Sequence, residues 1–218
     1  MTESSALRMR DHAYSNFTEK LLARDIRPGQ IVSQRELVEL TGMPLGAIRE
    51  MIPRLEADGL IKTVPQRGLQ VLLIDLDLVR NAFQLRHIIE GEAVSEYCRN
   101  APIAEIKTLV AEHEAIRRDA VKGVTDAVLE KAQRTDWAFH DRVIDAMNNP
   151  IISDIHRVNA IKIRLIRNTD TRMLPDLVVS VLDEHLCILA ALECRDVPGA
   201  AKAMQLHINS AKRRALGM

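Results

Sequence analysis

The stretch that decides the fold is SQRELVELTGMPLGAIREMIPRLEADGLIKTVPQRG, which runs from Ser33 to Gly68. Ser33 and Glu36 have the spacing of a capping box, which predicts a helix that begins at Ser33 and ends near Leu40. A Thr-Gly-Met segment then breaks that helix. Pro44 suits the first turn of a second helix, because the N–H that proline lacks would have no partner there.

The second helix is predicted to end at Asp58-Gly59, with one apolar face formed by Ile48, Ile52 and Leu55. Two short apolar runs follow at 60–64 and 69–73, and the segment PQRG between them predicts a hairpin. Helix, short turn, helix and hairpin is the order of a winged helix-turn-helix. From these residues alone, two helices and a hairpin inside another kind of α+β domain remain an alternative.

The rest of the chain is predicted to be mainly α. A first helix begins at Ser4 or Ser5, and after Leu73 no strand pattern appears. Breaks at glycine, proline and asparagine delimit the later helices at about 76–100, 103–121, 125–147, 151–168, 175–193 and 197–216. We therefore expect a winged helix-turn-helix over residues 1–73 and an all-helical antiparallel bundle over 74–218.

Composition limits the function classes. The chain has 30 basic and 30 acidic residues, so nucleic-acid binding would depend on where basic side chains lie and not on bulk charge. No apolar run approaches the ~20 residues of a membrane span, and the N-terminus lacks the apolar core of a signal peptide. Three cysteines form no metal-type pair. We expect a cytoplasmic protein without a membrane partner.

Four polar residues fall on apolar helix faces of the predicted bundle. Asp136 and His140 are four residues apart in DWAFH and so share one face, while His185 and His207 lie in apolar stripes of two later helices. Hydrogen-bonded core side chains would explain them singly. A divalent metal would satisfy all four, and nitrogen-rich ligation favours zinc, nickel, iron or manganese over calcium. The other histidines are expected to be exposed or locally bonded, namely His12, His87, His113 and His156.

Short blocks in the first 73 residues occur in a fixed order, with RPGQ at 27–30, QREL at 34–37, IRE at 48–50, LEADGLI at 55–61 and RG at 67–68. Together they resemble the DNA-binding domain of the GntR family of bacterial transcription regulators. The resemblance implies that Arg35 and Arg49 contact DNA and that Gly68 lies at the wing tip.

One segment departs from the family pattern. The family usually has Ser-Arg-Thr-Pro before Val-Arg-Glu at the start of the recognition helix, whereas this chain has PLGA at 44–47 before IRE at 48–50. An arginine and two hydroxyls that would contact phosphates or bases are therefore missing. We expect DNA affinity to depend on Arg35, Arg49, Gln66 and the wing residues Arg67 and Gly68.

The bundle also carries a resemblance. Asp136-x-x-x-His140, His185, and His207 twenty-two residues later resemble the metal site of the FCD domain, the helical effector domain of the FadR subfamily of GntR regulators. The helix number is similar to that of the VanR-type branch. This resemblance implies that the four residues are metal ligands, with zinc as the expected ion, and that a small carboxylic acid occupies the open coordination positions.

Arg86 and Glu90 match the Arg-x-x-x-Glu pattern of the family's first effector-domain helix. The resemblance makes Arg86 the first candidate for a charge-assisted bond to the acid. Weaker candidates for effector contacts are Arg164, Arg167 and Asn209.

Three functions follow as hypotheses. The first is a ligand-responsive transcription regulator, expected to be a repressor, that binds a pseudopalindromic operator as a homodimer. The second is a regulator for which the metal itself is the signal. The third is a mononuclear metallohydrolase, which is disfavoured because the four ligand positions supply no general base. We predict a regulator and not an enzyme.

Overall fold

Residues 3–169 and 175–218 are described by the computed structural model, with side chains described for 8–167 and 175–218. The chain divides into two compact units, Met1–Asp75 and Leu76–Met218. The first unit holds three helices and three strands in the order α1 (Glu3–Leu22), β1 (Ile31–Val32), α2 (Gln34–Thr41), α3 (Leu45–Ala57), β2 (Ile61–Val64) and β3 (Gly68–Val71).

Local signals position the helices of the first unit. The capping box is present, since the Ser33 hydroxyl accepts from the Glu36 N–H at 3.1 Å and the Glu36 carboxylate accepts from the Ser33 N–H at 2.6 Å. Gly42 ends α2 in the left-handed conformation with φ of 67°. The helices then bury a common apolar core that includes Phe17, Leu21, Ile48, Leu55 and Leu60.

The strands form an antiparallel sheet in the order β1-β3-β2. β1 was not predicted, because two residues are too short to show a period-two pattern. β3 begins at Gly68, which has φ of +118° and lies so close to β1 that an added Cβ would be 2.8 Å from the Val32 carbonyl oxygen. The glycine that the sequence placed at the wing tip is therefore also required for pairing of the wing with β1.

Six long helices form the described part of the second unit. They are α4 (Leu76–Asn100), α5 (Ile103–Lys122), α6 (Asp126–Asp145), α7 (Pro150–Thr169), α8 (Val178–Glu193) and α9 (Val197–Ala215). Their ends agree with the predicted ones within two residues, except that Pro175–Leu177 forms a 3-10 turn before α8. The mainly helical prediction is confirmed. None of the described helices is both long and apolar enough to cross a membrane.

Packing within the second unit surrounds one central region. α4 packs on α9, α5 on α8, and α8 on α9, while α6 contacts α4, α5, α7 and α8. Side chains that point inward from α6, α8 and α9 therefore meet in the same interior. The apolar part of that interior includes Phe83, Val94, Phe139, Val143, Ile188 and Ile208.

Candidate metal centre and DNA-binding surface

Asp136 and His140 on α6, His185 on α8 and His207 on α9 meet in the interior of the second unit. Each of the four is at most 4% exposed. One potential ligand atom from each residue lies within 4.8 Å of those of the other three. The structure thus brings together the four side chains that the sequence singled out as metal ligands.

The proton on the His185 ring can be located through His113. His113 Nδ1 lies 2.7 Å from the Leu109 carbonyl oxygen, which only accepts, so Nδ1 carries the proton of a neutral ring and Nε2 keeps the lone pair. His113 Nε2 lies 3.1 Å from His185 Nδ1, which must therefore donate. His185 is left with its lone pair on Nε2, the nitrogen that faces Asp136 and His207.

Carboxylates orient the other two rings in the same way. His207 Nδ1 lies 2.8 Å from Glu184 Oε2, and His140 Nδ1 lies 2.6 Å from Glu90 Oε2. An ionised carboxylate only accepts, so both imidazoles carry the proton on Nδ1 and the lone pair on Nε2. These are the contacts that fix the tautomer and direction of imidazoles in metal sites.

Burial keeps the three imidazoles neutral. Removal from water, with a further contribution from Arg86, lowers the pKa of His140 to about 4. Burial is also the main cause that lowers the pKa of His207 and lowers that of His185 well below its usual range. Burial alone would raise the pKa of Asp136, but the Arg167 guanidinium at 2.6 Å and the imidazoles hold it well below its usual range. At neutral pH the cluster is one carboxylate and three neutral imidazoles.

The resulting arrangement places acceptors against acceptors. His185 Nε2 lies 3.5 Å from Asp136 Oδ1 and 3.4 Å from His207 Nε2. Among the described residues, Asp136 Oδ1 has no hydrogen-bond donor although it is buried. Lone pairs that face one another in a buried space are stabilised by a shared cation. Three nitrogens and one carboxylate oxygen suit a divalent transition metal such as zinc, so the donor set fits the predicted metal.

A cavity borders this cluster between α4, α6 and α7. Three predicted effector residues line it and are already paired: Arg86 Nε with Glu90 at 2.6 Å, Arg164 Nη2 with Asp141 at 3.2 Å, and Arg167 with Asp136. Arg86 Nη2 also donates to His140 Nε2 at 2.6 Å. The residues that line this cavity are Arg86, Glu90, Asp136, Trp137, His140, Asp141, His156, Asn159, Ala160, Ile163, Arg164 and Arg167.

Two protein-family models match the chain, one within each of the two units. The family model for bacterial regulatory proteins of the gntR family matches residues 9–71, and the FCD domain model matches residues 81–210. The chain belongs to the GntR family and carries an FCD domain. The family and its relatives are transcription regulators, so the prediction that this protein is not an enzyme is confirmed.

Individual relatives of this GntR-family chain are distant. LgoR of Escherichia coli K12, described as a probable HTH-type transcriptional regulator, is 23% identical over 87% of this chain, which spans only 62% of LgoR. The Nta operon transcriptional regulator of Aminobacter aminovorans is 24% identical over 84% of this chain and 82% of its own length. A GntR-type regulator structure from Rhodococcus sp. RHA1 has a TM-score of 0.72 at 17% identity, covering 98% of both chains, which shows a shared fold.

Three sequence expectations about the FCD domain can be compared with the observed positions, and the one for His156 is wrong. His113 is locally bonded as expected, but it is fully buried and also contacts the cluster through His185. His156 is buried and pairs with Asp141, fifteen residues away, so its bond is not local. Asn209 is exposed on α9 and is not among the residues that line the cavity, because it lies two positions from the inward-facing His207. For His113, the apolar face of α5 around it is the sequence feature that could have predicted its burial.

The predicted DNA-contacting side chains of the GntR domain are exposed. Arg35 on α2 forms a solvent-exposed pair with Glu39 at 3.5 Å, and Arg49 on α3 donates from Nε to the Gln34 amide oxygen at 3.2 Å. Gln66 and Arg67 are exposed in the turn between β2 and β3, where Gln66 has φ of 60°. Exposure leaves these groups available to phosphates and base edges.

Proposed function

We propose that this GntR-family protein is a ligand-responsive regulator that binds a pseudopalindromic operator as a homodimer and senses a small organic acid at a divalent metal, most simply zinc. The observation that carries the proposal is the buried cluster itself: potential ligand atoms of Asp136 and three histidines lie within 4.8 Å of one another, and Asp136 Oδ1 has no hydrogen-bond donor among the described residues. Such a site holds a cation and leaves coordination positions for a ligand.

Arg86 connects the metal site to the cavity. Its Nη2 donates a hydrogen bond to the His140 lone pair that a metal would use. One lone pair cannot accept this hydrogen bond and bind a metal at the same time. When that lone pair is taken, the guanidinium loses an acceptor while it stays fixed by Glu90. A carboxylate of a bound acid would replace the lost acceptor with a charge-assisted bond. Metal loading would therefore prepare Arg86 to bind the acid.

The DNA-binding part of the proposal depends on exposed basic side chains and on symmetry. Arg35, Arg49 and Arg67 are exposed on the first unit, together with Gln66 in the wing. One winged helix makes too few contacts for operator specificity, and two copies related by a two-fold axis would contact two half-sites. The acid would change DNA binding only if it bound two dimer geometries with different affinities.

Titration of acids into a DNA-binding assay tests the proposal. An operator selected from random DNA is labelled, and its affinity is measured by fluorescence anisotropy with metal-depleted and zinc-loaded protein, with and without a panel of small carboxylic acids. We expect at least one acid to change the affinity of the zinc-loaded protein only. A change with zinc alone, and no further change with any acid, would instead identify a metal sensor.

Matched variants separate the two halves of the proposal. His207→Ala should abolish the response to acid, whereas His12→Ala, at an exposed position of the first unit, should retain it. Arg49→Ala should weaken operator binding by about fivefold or more, since a lost bidentate base contact is worth roughly 1–3 kcal/mol. Arg118→Ala removes the same charge from an exposed site of the second unit and should leave operator affinity unchanged.

A further inference from the structure

The cavity beside the candidate metal cluster contains buried hydrogen-bond donors that have no acceptor among the described residues. Arg86 Nη1, Trp137 Nε1 and Arg164 Nε are buried nitrogen atoms, and no described residue accepts a hydrogen bond from any of them. All three residues line the same cavity. Buried N–H groups are almost always paired, so unpaired donors that surround one cavity indicate a ligand rich in acceptor oxygens.

These donors form two groups. Arg86 contacts the cluster directly through His140. Trp137 and Arg164 instead contact each other, with the Arg164 guanidinium 4.4 Å from the centre of the Trp137 ring. Arg164 is further held by Asp141, so its position is fixed independently of the metal ligands. A ligand that satisfies both groups needs two acceptor ends.

The charges of the cavity lining lead to the same conclusion. Three guanidinium groups, from Arg86, Arg164 and Arg167, are balanced by three carboxylates, from Glu90, Asp136 and Asp141. An imidazole binds a metal in its neutral form, so a divalent metal held by the cluster would add two uncompensated positive charges in a buried space. Buried charge is costly unless it is paired, and a ligand with two negative charges would pair both.

On the basis of the function proposed above, we propose that this cavity selects a small dicarboxylate. One carboxylate is held at the metal and by Arg86. The second accepts hydrogen bonds from Trp137 Nε1 and Arg164 Nε, which makes Trp137 a specificity-determining residue. Its indole N–H recognises the far end of the ligand and takes no part in metal binding.

Calorimetry with matched acids tests this assignment. Zinc-loaded full-length protein is titrated with malonate, succinate and glutarate, and with propionate, butyrate and pentanoate as monocarboxylates of the same chain lengths. We expect at least one dicarboxylate to bind tenfold or more tightly than its matched monocarboxylate. Trp137→Phe keeps the ring beneath Arg164 and removes only the N–H, so it should weaken dicarboxylate binding about fivefold and leave monocarboxylate binding unchanged.

The outcomes distinguish failure of this inference from failure of the proposed function. Binding of neither series contradicts the proposed function and this inference together. Equal binding of both series contradicts the inference alone, as does a Trp137→Phe variant that weakens both series equally. Arg164→Met is the second variant, with the ratio of dicarboxylate to monocarboxylate affinity as its internal control, and an unchanged ratio in both variants would overturn the assignment. Thermal melting confirms that each variant is folded before titration.

Discussion

At the residue scale, the candidate metal centre depends on hydrogen-bond acceptors that contact the Nδ1 atoms of the imidazoles. Glu90, His113 and Glu184 come from three different helices, and each fixes the Nδ1 proton of one ring. Arg214 in turn pairs with Glu184 at 2.8 Å, and hydrogen bonds from His207 and Arg214 outweigh burial to lower the pKa of Glu184 to about 2. All three rings are thereby held in the tautomer that carries the lone pair on Nε2, without any contribution from the metal.

Replacing His113 tests the importance of this orientation. His113→Phe keeps an aromatic ring against Phe139 but removes the acceptor for His185 Nδ1. We expect zinc affinity to fall by about 10- to 100-fold, as for other contacts that orient metal ligands. Competition with a chromogenic chelator measures the affinity. His12→Phe, at an exposed histidine of the other unit, is the control, and an affinity for His113→Phe equal to the control would contradict the proposed role.

The buried imidazoles also predict a pH-dependent stability of the metal-free protein. Burial lowers the pKa of His140 from 6.5 to about 4 and lowers that of His185 and His207 as well. Below pH 6.5 the unfolded chain therefore binds protons that the folded protein does not, and the free energy of unfolding decreases as the pH falls. Each imidazole contributes up to about 1.4 kcal/mol per pH unit.

Urea denaturation of chelator-treated protein at pH 7 and at pH 5, monitored for the second unit, measures this difference. The expected result is a lower unfolding free energy at the more acidic pH. Equal or greater stability there would show that the imidazoles are not held neutral by burial.

At the scale of single elements, short signals in the sequence determine where helices begin. Ser33 and Glu36 close both hydrogen bonds of the capping box at the start of α2, and Thr125 accepts from the Val128 N–H at the start of α6. Both contacts satisfy backbone donors that have no partner inside the helix. α2 carries Arg35, which is a predicted DNA contact, and packs on α3.

Ser33→Ala should destabilise α2. Loss of this cap is expected to cost about 1 kcal/mol, since the Glu36 N–H is left without its side-chain acceptor. Hydrogen exchange of the amides of α2 measures the effect as faster local opening. Ser15→Ala, at an exposed position within α1, is the control and should change exchange little. Identical exchange in the two variants would show that the capping box does not stabilise the helix.

At the scale of the whole molecule, the chain divides into two compact units, and the candidate metal cluster of the described residues lies in the second. All four candidate ligands lie in Leu76–Met218, on α6, α8 and α9. A ligand that binds only the folded state stabilises the unit that holds it, by about 2.7 kcal/mol when its free concentration is about 100 times its Kd. Metal binding should therefore stabilise the two units unequally.

Hydrogen exchange with and without a chelator measures this inequality. Removal of zinc should accelerate exchange of the amides in α6, α8 and α9, because these helices lose their common ligand. Exchange in α2 and α3 should stay the same, which makes the first unit an internal control. Equal acceleration in both units would contradict a metal site confined to the second one.

The sequence by itself determined the long helices and the faces that they turn inward. Caps, breaks and apolar spacing are local, so they placed α4 at its observed ends and put Asp136, His140, His185 and His207 on inward faces. Only the tertiary structure decided which side chains meet across those faces. His113 reaches His185 over 72 residues, and Trp137 reaches Arg164 across two helices. Helix periodicity fixes the direction of a side chain, but its partner depends on how helices distant in sequence pack together.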